Sequence, residues 1–478
     1  MSDHKYGVAY TPALVERETL GNLQDDKYLD SLGVKYIRIT WSDYINNTRY
    51  RVVPRKYFAR LLRSSRPGVS ITKASLGIVF LALAPGFTGV GEYHYVLDLS
   101  SFRLAPYAPG HASIFGFFQE KTPTPEHGLT VPLCPRWLLN SVVEKASAGA
   151  GVTYLVGFES EFILLSQTTP AIVPVNWADW STSAKLPSGT VESKVMEEIA
   201  DALEDAGIEL QMYHAEAAPG QYEVVTGPLP PMEAADALIQ TRETIYNIAS
   251  KHGLRATFAP RLYTTSTGSG MHTNISVHNT SSPAPLRDTD ASFGPTMTSS
   301  ERSFLQGVLA HVPALCAFTL PTKYSYARVG DGVWSGGTYA SWGTENREAT
   351  VRLSGSPGQH RFECRFVDAT ANPHLVLAGL LGAGTSTLLD GTPLQSGDCA
   401  RPVAQMDDNE KAEKGVQNTG RVPLSLKQAR ENLDKDQELR AVLGHHFVST
   451  YLSVNATLEE LLVADTEEET VTKLVNFY

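Results

Sequence analysis

The sequence is poor in cysteine. Its 478 residues contain four cysteines, which lie far apart and form no CxxC pair: Cys134, Cys316, Cys364 and Cys399. This spacing favours reduced thiols in a cytosolic protein over a disulfide framework or a zinc site. The N-terminus also lacks the apolar core of a signal peptide. We therefore expect a cytoplasmic protein.

Long hydrophobic runs and excess positive charge are lacking as well. The apolar run from Leu76 to Phe87 is too short to span a bilayer and contains Pro85. The formal net charge of −11 argues against a nucleic-acid or anionic-membrane partner. No GxxxxGK[ST] motif occurs, which excludes a P-loop. The 42% hydrophobic and 19% charged residues indicate a globular protein with a sizeable core.

The hydrophobic pattern changes near residue 126. In the first part of the chain, Tyr28–Leu32 predicts a short helix. Strands are predicted at 34–40, 78–82 and 95–99. Four prolines between residues 106 and 125 indicate a linker-like segment. We expect a small β-rich domain over residues 1–126.

From about residue 127, strands alternate with amphipathic helices. Helices are predicted over 135–146, 191–206 and 232–252, and from Ser425 to the end. The segments Ser281–Ser300 and Arg401–Arg421 are polar and predict surface loops, the second of them a possible lid. Together these patterns predict an α+β protein whose larger domain covers residues 127–478.

Two glutamates follow a predicted buried strand. The run Val152–Val156 is β-branched, aromatic and apolar, and it leads into Glu159-Ser-Glu161. Because side chains at i and i+2 share one face of a strand, Glu159 and Glu161 point the same way. Two carboxylates held that close cannot both stay ionised without a cation or a shared proton. A strand end with two solvated glutamates is the alternative.

Later segments add further side chains of the same chemical kind. They are Glu216, Glu223, His272 and Glu363. Each has an ordinary explanation by itself: a polar residue near a strand end, a structural histidine, or an ion-pair ladder in which Glu363 lies between Arg361 and Arg365. Taken together, five carboxylates and one imidazole form a hard-ligand set that suits two Mg²⁺ or Mn²⁺ ions. Neighbouring arginines suit phosphate and carboxylate groups.

In their order along the chain, these motifs resemble the glutamine synthetase family. The matching stretches are Glu159-Ser-Glu161, His214-Ala-Glu216 with Gly220-Gln-Tyr-Glu-Val224, Gly268-Ser-Gly-Met-His272, Asn346-Arg347 with Arg352, and Arg361-Phe-Glu-Cys-Arg-Phe-Val-Asp368 with Asn372-Pro373. The resemblance implies a small N-terminal β-grasp-like domain. It also implies a large catalytic domain with a curved antiparallel sheet surrounded by helices.

The resemblance further implies a role for each matching residue. Glu161, Glu216 and Glu223 would hold one metal ion, and Glu159, His272 and Glu363 would hold the second. Residues expected to bind glutamate are Gly268, Arg328 and Arg365. Residues expected near the phosphate and the nucleotide are Asn274, Ser276, Arg347, Arg352 and Arg361. The catalytic set would comprise Arg328, Trp334 and Arg347.

The implied reaction uses ATP to activate the γ-carboxylate of glutamate as an acyl phosphate, which an amine then attacks. The resemblance also implies a homo-oligomeric ring, possibly two stacked rings, because family active sites form between neighbouring subunits. The expected partners are therefore glutamate, ATP, an amine and further copies of the chain.

One stretch departs from the ammonia-using members. Those members carry an acidic flap residue at the position that Trp334 occupies here, and Asp331 is the nearest acid. The surrounding aromatic residues are Tyr324, Tyr326, Tyr339 and Trp342. This stretch resembles the branch that ligates polyamines and other organic amines. The sequence thus favours a glutamate–amine ligase, with a glutamine synthetase that uses ammonia and a non-catalytic regulatory relative as alternatives.

Overall fold

The computed structural model describes residues 7–15, 21–178, 186–280 and 292–478. Within the described residues up to 130, the strands form two four-stranded sheets, in the orders β2-β1-β8-β7 and β10-β9-β6-β3, and a two-stranded hairpin of β4 and β5. The elements are β1 (Tyr36–Ser42), β2 (Thr48–Pro54), β3 (Gly68–Thr72), β4 (Ile78–Val79), β5 (Ala82–Leu83), β6 (Glu92–Leu97), β7 (Arg103–Leu104), β8 (His111–Ile114), β9 (Gly116–Thr124), β10 (Gly128–Thr130), α1 (Asp26–Ser31) and α2 (Arg55–Leu61).

The prediction of a linker between residues 106 and 125 is wrong, because β8 and β9 occupy most of this segment. β8 pairs in parallel with β1, and β9 pairs with β6. The prolines lie where the strands can accommodate them. Pro106 and Pro109 fall in the turn before β8, and Pro123 and Pro125 lie at the end of β9 and in the following turn. A proline costs a sheet little at such places, since no ladder N–H is needed there.

A larger mixed sheet follows, with the strand order β13-β14-β11-β16-β19-β18-β17 and with β12 and β15 paired to β11. Its neighbours are antiparallel except for β17 and β18. The strands are β11 (Val152–Gln167), β12 (Val173–Pro174), β13 (Leu210–Ala215), β14 (Gln221–Thr226), β15 (Arg255–Thr257), β16 (Met271–Asn279), β17 (Trp342–Thr344), β18 (Val351–Ser354) and β19 (Arg361–Cys364).

Helices accompany this sheet, some in contact with it and others packed on further helices. They are α3 (Pro135–Lys145), α4 (Val191–Asp205), α5 (Pro231–Lys251), α6 (Ser299–Thr319), α7 (Lys323–Arg328), α8 (Pro373–Asp390), α9 (Asp408–Glu413), α10 (Leu426–Lys435), α11 (Gln437–Leu443), α12 (His445–Leu462) and α13 (Glu467–Phe477). The predicted α+β class is confirmed. Of the predicted loop Ser281–Ser300, residues 281–291 lie outside the described part of the chain, and α6 begins at Ser299.

Local chemistry explains several helix ends. Thr190 caps α4 by accepting from the Ser193 amide, and Thr298 forms a capping box with Glu301 at the start of α6. The Asn372 side chain accepts from two amides of α8. The predicted loop over 401–421 is largely irregular but contains α9. Among the described residues, none of the helices combines the length and the apolar character needed to cross a bilayer.

One hydrophobic core runs from the first sheets to the C-terminal helices. For example, the Tyr44 ring lies 5.7 Å from the Phe447 ring in α12. Polar contacts cross the same junction, where Asn46 Nδ2 donates to the Ala369 carbonyl at 3.0 Å. Residue 126, the expected domain boundary, lies in the turn between β9 and β10. The division into two domains stays a prediction.

Candidate active site

Five adjacent strands of the large sheet bring the predicted ligands to one cleft. In sheet order, β13 ends just before Glu216, β14 carries Glu223, β11 carries Glu159 and Glu161, β16 carries His272 and β19 carries Glu363. Neighbouring strands lie about 4.8 Å apart, so side chains on one face of adjacent strands meet directly. The sheet order therefore places residues that are up to 204 positions apart in sequence side by side.

The register of the strands determines which of these side chains lie opposite each other. Glu161 lies directly opposite Glu223 on β14, and Glu159 lies opposite His272 on β16. Glu363 on β19 pairs with Asn274, which is two residues beyond His272 and so shares its face. The inference that Glu159 and Glu161 point the same way agrees with this register.

Glu159, His272 and Glu363 form one group whose potential ligand atoms lie within 4.8 Å of one another. His272 Nδ1 donates to Glu159 Oε2 at 3.0 Å and lies 3.6 Å from Glu363 Oε1. The structure thus brings together the three residues expected to share one metal ion.

A second group joins Glu216 and Glu223 with His214, which the sequence analysis left out of the ligand set. His214 Nε2 lies 3.3 Å from Glu223 Oε1, and its Nδ1 lies 3.6 Å from Glu216 Oε1. The sequence signal was present, since His214 and Glu216 are two residues apart beside a strand end. Glu161 lies near this group, but its Oε2 accepts from the Gly270 amide at 3.0 Å and from Gln221 Nε2 at 3.1 Å.

The acids in the cleft repel one another. Burial, with smaller contributions from Glu161 and Glu159, raises the pKa of Glu223 to about 7, although the hydrogen bond with His214 opposes this shift. Burial and then Glu161 also raise the pKa of Glu216. The hydrogen bond with Glu223 in turn raises the pKa of His214 to about 9. Carboxylates and imidazoles whose charge is uncompensated in this way fit divalent cations such as Mg²⁺ or Mn²⁺.

Two arginines contact Glu363, one of the acids of the first group. Arg352 Nη1 donates to Glu363 Oε2 at 2.8 Å, and Arg365 Nη1 donates to Glu363 Oε1. Arg328 is buried nearby and donates through Nη2 to the carbonyls of Arg365 and Val367. All three side chains line the cleft.

The glycine-rich segment before β16 allows this close approach. A Cβ atom on Gly268 would lie 2.4 Å from the Pro260 carbonyl oxygen and 2.5 Å from Arg328 Cγ. One on Gly270 would lie 3.1 Å from Glu161 Oε1. Any larger residue would therefore push the backbone away from the acids and from Arg328.

The cleft has a volume of ≈ 1490 Å³ and continues past the acids. Of the residues expected near the nucleotide, Asn274 donates to Glu159 Oε1 at 2.9 Å, while the Ser276 hydroxyl lies 2.8 Å from His278 Nε2. Arg347 and Arg361 line the cleft and are exposed. The sequence analysis did not single out His278, Glu301 and His360, which line the same end.

A flap over residues 330–337 borders the cleft. Val333 and Trp334 are 55% and 61% exposed and line the cleft. The other aromatic residues expected there do not line it: Trp342 is buried and donates to the Ser396 carbonyl, and Tyr326 donates to the Cys316 carbonyl. The aromatic crowding expected around the flap thus reduces to Trp334.

The flap acid Asp331 faces the flap itself. Its two carboxylate oxygens accept from the Thr338 amide and from the Thr338 hydroxyl, both at 2.8 Å, and Arg421 lies 3.7 Å away. Asp331 is not among the residues that line the cleft. In the part of the chain that the structure describes, the flap therefore presents apolar and neutral side chains to the cleft.

Comparison with known proteins agrees with this geometry. A family model described as glutamine synthetase, catalytic domain, matches residues 132–471. The protein fluG of Emericella nidulans is 34% identical over 454 residues, which cover 93% of this chain and 49% of that protein, so the chain spans about half of its length. The glutamine synthetase of Methanocaldococcus jannaschii is 30% identical over 464 residues, covering 93% and 96%.

A third relative is the γ-glutamylpolyamine synthetase GlnA3 of Streptomyces coelicolor, 32% identical over 337 residues, which cover 69% of this chain and 70% of that protein. Among solved structures, one described as a novel glutamine synthase homolog matches with a TM-score of 0.75 at 25% identity, covering 93% and 99%. A complex of GmaS with ADP matches with a TM-score of 0.73 at 23% identity, covering 91% and 95%, and this likeness shows the fold.

Proposed function

The chain belongs to the glutamine synthetase family, and we propose that it is an ATP-dependent ligase that transfers a γ-glutamyl group from γ-glutamyl phosphate to an organic amine. Members of this family are ligases that form C–N bonds. The observation that carries the choice of amine is the flap, which turns Val333 and Trp334 toward the cleft and keeps Asp331 out of it.

The residues of the cleft suggest how such a ligase would work. Glu159, His272 and Glu363 would hold one divalent cation, and Glu216 and Glu223, with Glu161 or His214, would hold a second. Bound Mg²⁺ or Mn²⁺ would supply electrostatic stabilisation of the phosphoryl group in transfer. Arg347, whose side chain is exposed in the cleft, would contact the same phosphoryl oxygens.

Glutamate binding would use the other arginines. The Arg328 side chain lies beside Gly268 and Gly270 and donates through Nη2 to two backbone carbonyls. Its remaining N–H groups would donate to a carboxylate of glutamate. Arg365 lies next to Arg328. Arg352, Arg361, Asn274 and Ser276 would then line the nucleotide part of the cleft.

The amine would approach from the flap. Ammonium must be bound as a cation and lose a proton before attack, for which a carboxylate close to the acyl phosphate is the natural partner. An alkyl or aryl ammonium ion must lose a proton in the same way, but it also gains apolar burial and a cation–π contact with Trp334, worth about 0.5–2 kcal/mol. The resemblance to the polyamine synthetase GlnA3 supports this choice.

An amine panel tests the proposal, with release of ADP and formation of amide both measured in the presence of glutamate. A primary organic amine should have a kcat/KM at least about tenfold above that of ammonium, because the free energy of one cation–π contact is enough for a tenfold difference. Trp334→Glu should shift the preference toward ammonium. Trp334→Phe, which keeps an aromatic face and adds no acid, is the matched control and should keep the preference for organic amines.

Two other outcomes have specific support. If ammonium is the best substrate, the chain is a glutamine synthetase, as the relative from Methanocaldococcus jannaschii is named. If no amine and no ammonium releases ADP, the chain is a non-catalytic relative. A homo-oligomeric ring remains part of the proposal and is measured as the molecular mass in solution.

A further inference from the structure

Glu348 follows Arg347 in the loop after β17, and its carboxylate contacts the backbone of the flap. Oε2 accepts from the Gly332 amide at 2.8 Å, and Oε1 accepts from the Trp334 amide. One carboxylate therefore holds two alternate peptide groups of the same flap. Hydrogen bonds to a charged acceptor are stronger than neutral ones, so this pair of contacts contributes more than an ordinary turn.

The flap needs such a contact because its backbone is strained. Trp334 has φ 55°, a left-handed conformation that side chains other than glycine rarely adopt. Such conformations persist where the surroundings fix them. Here both sides of the residue are fixed, because Glu348 accepts from the Trp334 amide and Arg365 Nη2 donates to the Trp334 carbonyl at 2.9 Å.

Arg365 connects the flap to the acids of the cleft. Its Nη1 donates to Glu363, its Nε donates to the Arg347 carbonyl at 3.1 Å, and its Nη2 donates to Trp334. One of the three contacts that orient this guanidinium is thus a carbonyl of the flap. That carbonyl in turn depends on Glu348.

We propose that Glu348 is a positioning residue that fixes the flap in register over the cleft, and through the Trp334 carbonyl fixes Arg365. The contact orients the Trp334 side chain toward the amine and keeps water from the activated carboxyl group. Without it, ATP is consumed faster than amide forms, because water attacks the acyl phosphate in place of the amine and releases glutamate and phosphate. This consequence rests on the proposed function, whereas the contact with the flap does not.

Hydrogen–deuterium exchange of the full-length protein measures the contact directly. In Glu348→Ala, the amides of Gly332 and Trp334 should exchange about tenfold faster, as the loss of a charge-assisted hydrogen bond predicts. Glu348→Gln keeps the side-chain volume and one acceptor oxygen, so one of the two amides should stay protected. This variant also covers the case in which the alanine variant does not fold.

Asp398→Asn is the matched control. Asp398 makes the same kind of contact to the end of β17, just before this loop, because its carboxylate accepts from the Thr344 amide at 2.8 Å and from the Thr344 hydroxyl, but it does not contact the flap. In this control the exchange of the flap amides should not change. Unchanged exchange of the flap amides in Glu348→Ala would overturn the proposal.

The second measurement is the ratio of ADP released to amide formed. In Glu348→Ala this ratio should rise well above that of the wild type, with the KM for the amine raised more than the KM for ATP. If the flap amides exchange faster but neither the ratio nor the KM for the amine changes, Glu348 is structural and the positioning role is wrong. If the wild type ligates no amine, the proposed function fails, and the exchange result alone decides whether Glu348 holds the flap.

Discussion

Two buried groups of charged residues in this protein differ in how their charge is balanced. At the junction of the first sheets with α5 and α8, Arg136 donates to both oxygens of Asp236, at 3.1 and 2.7 Å, to Asp98 Oδ2 at 2.8 Å and to the Gly116 carbonyl. His374 Nε2 lies 2.9 Å from Asp236. In the group of Glu216 and Glu223, by contrast, one imidazole, that of His214, faces two carboxylates, and Glu161 lies close to them.

The pKa directions follow this difference. Burial opposes ionisation of Asp236, but Arg136 and then His374 more than offset it, so its pKa lies below the ordinary 3.8. Burial raises the pKa values of Glu223 and Glu216 in the cleft, and neighbouring acids raise them further. Burial thus opposes ionisation in both groups, and the charged neighbours reverse the direction of the pKa shift only for Asp236. An uncompensated group of this kind marks a place for a ligand.

Replacing an acid of the cleft should have the largest effect, and it should fall on activity. Glu216→Ala is expected to abolish turnover, by more than about 1,000-fold, because it removes a proposed cation ligand. The metal-free variant should melt no lower than the wild type, since repulsion within the cleft is relieved. Steady-state kinetics and calorimetry measure both. Glu413→Ala, at an exposed position, is the control, and wild-type activity in Glu216→Ala would refute the assignment.

Replacing a residue of the junction should act on stability. Arg136→Met removes the cation from buried Asp236 and leaves it the contact with His374, which should cost about 3–5 kcal/mol of unfolding free energy. Urea denaturation measures this loss. Lys145→Ala, at the exposed end of the same helix α3, should stay within about 0.5 kcal/mol of the wild type. A small loss in Arg136→Met would show that the junction tolerates an uncompensated acid, as the cleft does.

The charged residues at the junction also predict how the unfolding free energy changes at acidic pH. Because the folded-state pKa of Asp236 is lowered, its contribution is present above the ordinary pKa and is lost as the pH falls through the folded value. The unfolding free energy of the wild type should therefore decrease below about pH 4. The decrease should be shallower in Asp236→Asn, which cannot ionise.

Adding a divalent cation should give the smallest effect. At 100 times its Kd, Mn²⁺ should raise the unfolding free energy of the wild type by about 2.7 kcal/mol. The increment should be much smaller in Glu216→Ala and unchanged in Arg136→Met, because the partners of Arg136 do not line the cleft. Equal increments in all three proteins would mean that the cation binds elsewhere.

Much of the site could be predicted from residue spacing. The two-residue period of a strand was enough to place Glu159 and Glu161 on one face, and the structure pairs them with His272 and Glu223. The order of the strands in the sheet could not be read in this way. It depends on long-range pairing, such as that of β11 with β16, which no local pattern encodes.

The features that the sequence did not predict also depend on tertiary contacts. Prolines suggested a linker between residues 106 and 125, but they lie at strand ends and turns, which composition alone does not distinguish from a linker. His214 comes to lie beside Glu223 through the register of β13 with β14, which the sequence by itself does not show. Tyr326 and Trp342 lie on either side of the flap in sequence but pack elsewhere, because their orientation depends on tertiary contacts that the local sequence does not encode.

The strand register has a consequence for which changes this chain can accept over evolutionary time. Inserting or deleting one residue inside β11 would turn Glu159 and Glu161 to the opposite face and move both away from His272 and Glu223. The same change in the segment of 401–421 outside α9 would leave that register untouched. Length variation among descendants of this sequence should therefore collect in the loops, while the strands that carry the acids keep their number of residues.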